Sequence, residues 1–155
     1  MTDALPYPSA GLFRRFAALV YDSLLLVALS MAYSAIAVLI NVLIQGSPAE
    51  GQRVEWGYWR YPLFIGWVLI MMGFYGLFWR RFGQTLGMRA WRLKLVTESG
   101  GTPGWRECWL RCLLACLSFA AFGLGYFWRW LDPEKATFHD RFSGTRVMLL
   151  PKDKN

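Results

Sequence analysis

Asp22 lies inside an apolar run, residues 16–44, that is long enough to cross a bilayer. A carboxylate at that depth costs at least ~2.5 kcal/mol on insertion scales, which makes it a candidate site by its position alone. Arg15 precedes it by two helical turns, a rise of about 10 Å, whereas ion pairs along a helix want spacings of three or four. Arg15 is therefore expected to snorkel toward the headgroups. Asp22 then requires a partner from a distant segment, a bound cation or a proton. The expected supplier is the polar cluster at 138–145, which contains His139, Asp140 and Arg141. His139 is the single histidine of the chain; it could shuttle protons near neutral pH or serve as a structural hydrogen-bonding group.

Weaker candidates surround these. At about 100° per residue, Tyr33 falls about 20° and Ser30 about 80° from Asp22 on the helix circumference. Such a polar ribbon suits a pathway wall, but serine at helical spacing also serves close packing between helices, and that is the reading taken for Ser30. In the stretch 83–88 (GQTLGM), Gly83 and Gly87 suit a tight helix exit. Gln84 and Thr85 there are secondary candidates for lining a polar site. The stretch lacks the spacing of a phosphate loop. Cys108, Cys112 and Cys116 recur every four residues on one helix face. Three thiolates can hold a soft metal, yet no histidine completes the set, so they are read as small hydrophobes. No metal and no cofactor are expected. Ser143 has neither a base nor a nucleophile-elbow context, so the chain is read as non-enzymatic.

The elements that must position these groups are those of a membrane protein. Of 155 residues, 55% are hydrophobic and only 17% charged, a balance far from that of soluble domains. Three segments carry the apolar weight, 16–44, 62–79 and 113–128, against about 20 residues needed for a crossing. Signal-peptide cores run to only about 7–15 residues, so the first segment is read as a retained helix. The net charge of +7 is unevenly spread: loop 45–61 is neutral, whereas loop 80–111 holds seven Arg and Lys, Arg111 among them. This is the positive-inside pattern, with the N-terminus and loop 80–111 cytoplasmic, and it argues against nucleic-acid binding. The aromatic clusters flanking the segments, Trp79 included, read as interfacial anchors.

The tail beyond the third segment is also basic, which conflicts with three straight crossings. Residues 89–97 alternate as a strand does, and 145–150 form a second short apolar stretch between Gly144 and Pro151. Pairing them puts both on one side of the membrane. The third segment is therefore expected to bend near Gly123-Leu124-Gly125 and return, a straight crossing being the alternative. The fold expected is an α-helical membrane protein with two full transmembrane helices, a third transmembrane or re-entrant segment, and a small cytoplasmic β pairing of 89–97 with 145–150. Residues 1–12 are read as a flexible tail, 13–150 as one membrane domain and 151–155 as a C-terminal tail.

The ordered set R-F-A-A-L-V-Y-D at 15–22, G-Q-T-L-G-M at 83–88 and H-D-R at 139–141 followed by Gly144-Thr145 resembles the RDD family of small membrane proteins. That family is named for one arginine and two aspartates, which by position are Arg15, Asp22 and Asp140. The resemblance spans about residues 11–150 and implies transport of an unidentified solute, with cation/proton exchange proposed for some members. Two functions follow. In the first, Asp22 is the proton- or monovalent-cation-binding carboxylate of a transport-type oligomer, with Arg15 and the Asp140 cluster at its cytoplasmic mouth. In the second, the chain is a membrane scaffold in which the same charges lock the tail to the first helix. Expected partners are the bilayer, further copies or another membrane protein, and a proton or monovalent cation.

Overall fold

A computed structural model describes residues 7–151. Residues 1–6 and 152–155, half of the expected N-terminal tail and nearly all of the C-terminal one, lie outside the described residues. Two helices are long and apolar enough to cross a membrane: α1 (Leu12–Gln45), and α2 (Arg60–Phe82) with the 3-10 turn Gly57–Trp59 leading into it. The chain divides into two compact units, one of Ser23–Met71 and one joining the residues up to Asp22 with those from Met72 onward.

In the unit of Ser23–Met71, large apolar side chains such as Leu24, Leu43 and Ile44 are exposed, as helices solvated by lipid tails require. Its polar groups are spent on helix contact. The Tyr33 hydroxyl donates to the Leu63 carbonyl at 2.7 Å, and the Trp67 indole N–H donates to Ser30 Oγ at 3.0 Å. Ser30 in turn donates to the Leu26 carbonyl at 2.7 Å. At Gly66 a Cβ would stand 2.9 Å from the Tyr33 oxygen, so only glycine admits this approach. Ser30 and Tyr33 are packing residues of this unit.

The second unit adds α3 (Leu86–Ala90), β1 (Leu93–Thr97), α4 (Trp105–Ala120), α5 (Leu124–Phe127), α6 (Phe138–Ser143) and β2 (Thr145–Leu149). β1 and β2 pair antiparallel, in a register from Leu93 opposite Leu149 to Thr97 opposite Thr145. The expected strand began four residues too early: 89 and 90 belong to α3, and the turn to β1 runs through Arg92 at φ 57°. Leu93 and Leu95 face the core while Lys94 is exposed, as the alternation requires, but Val96 is buried as well. Residues 8–10, assigned to the tail on sequence, instead run along β2. Ala10 donates to the Val147 carbonyl and Leu149 to the Pro8 carbonyl, each at 2.9 Å.

The third apolar segment breaks between α4 and the helical stretch Leu124–Trp130, bending by 108° where the sequence predicted it. Gly123 takes a left-handed φ of 77° there, a conformation glycine enters without steric cost. The core gathers Ala18, Trp79, Met88, Leu93, Leu95 and Val147 with Cys108 and Cys112, while Cys116 is exposed. Trp79 is thus a core residue and not an interfacial anchor: its indole N–H reaches Met88 Sδ at 3.3 Å. Leu95→Ala should cost about 2–5 kcal/mol of stability, whereas Leu43→Ala, three-quarters exposed, should stay within about 0.5 kcal/mol. Thermal unfolding in mild detergent compares the two.

Candidate functional site

The first unit of chemistry is an acid between two arginines. Asp140, near the start of α6, has its Oδ2 2.6 Å from Arg15 Nη1 of α1 and its Oδ1 2.6 Å from Arg111 Nη1 of α4. The Thr137 N–H also donates to Oδ2, at 3.2 Å. All three charged residues are buried, with Asp140 only 1% exposed. Each arginine has further acceptors: the Ala10 carbonyl takes Arg15 Nε at 3.1 Å, and Thr145 Oγ1 takes Arg111 Nη1 at 2.8 Å. Burial alone would raise the Asp140 carboxyl, but the guanidiniums of Arg15 and Arg111 outweigh it and hold the group below the ordinary carboxylate range. Arg15 therefore does not snorkel to the headgroups, and the cluster is a closed lock instead of an open mouth. One carboxylate outbids water for a guanidinium when it offers short, charge-assisted bonds.

Asp22 is separate. Its Oδ2 accepts from the Thr85 hydroxyl at 2.6 Å and its Oδ1 from the Gly87 N–H at 2.9 Å. Thr85 is the N-cap of α3, its oxygen accepting from the Met88 N–H at 3.2 Å. The supplier of partners is thus the 83–88 stretch and not the C-terminal cluster. The glycines of that stretch have different tasks. Gly83, at φ 68°, ends α2 and lends its carbonyl to the Leu95 N–H at 2.7 Å. Gly87 is no part of the helix exit: a Cβ there would meet the Ala18 carbonyl and stand 2.8 Å from Asp22 Oδ1. Among the described residues Asp22 makes no ion pair.

Asp22, but not Asp140, adjoins a cavity of about 80 Å³, lined among others by Arg15, Tyr75, Arg111, Tyr126 and His139. His139 stacks edge-on to Tyr126 at 4.8 Å. Among the described residues its Nδ1 has no hydrogen-bond partner, and neither has the Tyr75 hydroxyl. Burial, reinforced by Arg111, pushes the His139 imidazole from 6.5 down to about 3. It is accordingly neutral at physiological pH, which fits the structural alternative better than a proton shuttle.

Of the residues singled out on sequence, the fold brings Arg15, Asp22, Thr85, His139 and Asp140 into one region. Gln84 caps the Leu93 carbonyl at 2.7 Å. Arg141 is exposed and pairs with Glu134 at 3.1 Å. Ser30 and Tyr33 belong to the other unit. Arg111 and Tyr75 escaped notice, Arg111 having been counted with the loop charges. Its signal was available: it directly precedes Cys112 in the helix that the four-residue cysteine spacing marks.

These elements define a small helical membrane protein built around a buried Arg–Asp–Arg cluster. The family model described as RDD family matches residues 9–144, and the chain belongs to that family. No curated protein and no solved structure matches it.

Asp140→Asn should leave two buried guanidiniums without a counter-charge and cost about 3–5 kcal/mol. Arg111→Met, which keeps a one-to-one pair with Arg15, should cost clearly less; equal losses would refute the lock. The pH dependence has a fixed sign. His139 and Asp140 both have folded values below their ordinary 6.5 and 3.8, so the unfolded chain binds more protons in acid. Stability should therefore be full above pH about 7 and fall as His139 and then Asp140 take up protons in the unfolded chain. A thermal-unfolding series in detergent from neutral to acid pH measures this.

Proposed function

We propose that this protein is of transport type, with Asp22 as the carboxylate that takes up and releases a proton during solute movement. One observation supports the reading above others: Asp22 is 2% exposed, adjoins a cavity, and among the described residues is held by a neutral hydroxyl and a backbone amide alone. A carboxylate so held changes protonation without breaking an ion pair. A proton suits the position better than a monovalent cation, because it needs one carboxylate oxygen alone, whereas a cation needs several oxygen ligands and the cavity is lined mainly by apolar side chains and guanidiniums. The second reading, a non-transporting scaffold, draws on the Arg15–Asp140–Arg111 cluster, whose geometry is that of a fastening. The two are compatible if Asp140 fastens and Asp22 works.

The proposed orientation has the N-terminus, loop 80–111 and the C-terminus cytoplasmic. The positive charge supports this, as does the pairing of β1 with β2 and of both termini's described residues with each other. An oligomer in the bilayer is proposed as the working form, since two crossings and a bent segment scarcely enclose a pathway. No enzymatic step is proposed.

The test is proton flux in liposomes under an imposed pH gradient, across a series of salts. Asp22→Asn should remain folded and inserted, by circular dichroism and protease protection, and lose salt-dependent proton movement. Wild-type vesicles that move no protons under any salt, with an Asp22→Asn protein that fails to assemble, would favour the scaffold.

A further inference from the structure

The cavity that adjoins Asp22 has a lining whose chemistry is lopsided. Arg15 and Arg111 line it beside apolar side chains such as Leu19 and Met88, and Tyr75 brings a hydroxyl that has no partner among the described residues. His139 brings Nδ1, likewise unpartnered, on a residue only 3% exposed. Unpaired buried polar atoms are rare and call for a guest that pairs them. A volume of about 80 Å³ exceeds what one water requires.

The charge count says which guest. The groups facing the cavity are Arg15 from α1, Arg111 from α4, Asp22 from α1, and neutral Tyr75, Tyr126 and His139 from α2, α5 and α6; Asp140 lies behind the two arginines. From α3 comes the apolar Met88, while the Thr85 hydroxyl and the Gly87 amide hold the Asp22 carboxylate. Two arginines and two aspartates balance. Adding a proton to Asp22 leaves one positive charge in excess, and the carboxyl becomes a further donor beside the unpartnered groups of Tyr75 and His139. We propose that the cavity binds one small inorganic anion, of chloride type, together with the proton on Asp22, the Tyr75 hydroxyl and His139 Nδ1–H serving as its neutral donors. This inference rests on the reading of Asp22 as the proton site. The low value of His139 supports it, since the imidazole adds no charge of its own at neutral pH.

Coupling of this kind is reciprocal: the anion raises proton affinity by the same factor that the proton raises anion affinity. The experiment uses the full chain, purified in detergent at fixed ionic strength, with sodium chloride exchanged against sodium gluconate in weak buffer. Chloride should cause proton uptake equal to the chloride bound, and its apparent Kd should rise about tenfold per pH unit on the alkaline side. Asp22→Asn should bind chloride with a pH-independent Kd and take up no protons. Tyr75→Phe removes only an unpartnered hydroxyl, so the fold should persist while chloride affinity drops about tenfold. Chloride binding without proton uptake, or no chloride binding, overturns the proposal. Proton release on adding sodium or potassium, with gluconate as the counter-ion, also overturns it, in favour of cation exchange. Wild-type vesicles that move protons without any halide dependence sink the anion and leave Asp22 as the proton site. Unchanged flux in Asp22→Asn sinks the Asp22 reading itself.

Discussion

Asp140 is the hinge on which the arrangement depends. A carboxylate this deeply buried is tolerated only with paired charge and saturated hydrogen bonds, and two arginines supply both from either end of the sequence. Arg15 reaches it over 125 positions and Arg111 over 29. Because each guanidinium also binds a backbone carbonyl or a hydroxyl of another segment, the charge cluster fixes α1, α4, α6 and residue 10 together. The apolar helices give no such specificity, since Leu against Leu is little different from Leu against lipid.

Around that cluster the small sheet has a mechanical role. β1 and β2 are each only five residues long, too little to be stable alone. Residues 8–10 extend the pairing along β2, while Leu93 and Leu95 close the core beneath. The charged lock and the sheet therefore support one another: the sheet brings Thr145 and Val147 to the arginines, and the arginines hold β2's flank. Asp22 stands one step outside, gripped by the first turn of α3, where it satisfies the Gly87 N–H while Thr85 satisfies that of Met88.

The two aspartates thus divide the work. Asp140 has charge partners and no freedom, whereas Asp22 has neutral donors and an adjoining cavity. The same residue type behaves differently because environment, not identity, sets what a carboxyl can do. That separation gives the transport-type reading its physical basis, and it leaves the scaffold reading a genuine share in explaining why the cluster exists.

Much of this was legible in the chain itself. Length and apolarity of 16–44 and 62–79 dictate crossing helices, alternation near 93–97 dictates a strand, and Gly123-Leu124-Gly125 marks the break; these are local properties, set by period and by backbone freedom. The depth of Asp22 was readable as a cost that any fold must meet, whereas Asp140 was marked by the polar cluster around it and by the family resemblance. Partners were not. That Arg15 would turn inward to Asp140 instead of outward to water, that Arg111 would leave the count of loop charges to join it, and that Thr85 with Gly87 would serve Asp22 are outcomes of long-range packing. A helical wheel fixes the direction in which a side chain leaves its own axis, but only the tertiary arrangement fixes what it meets there.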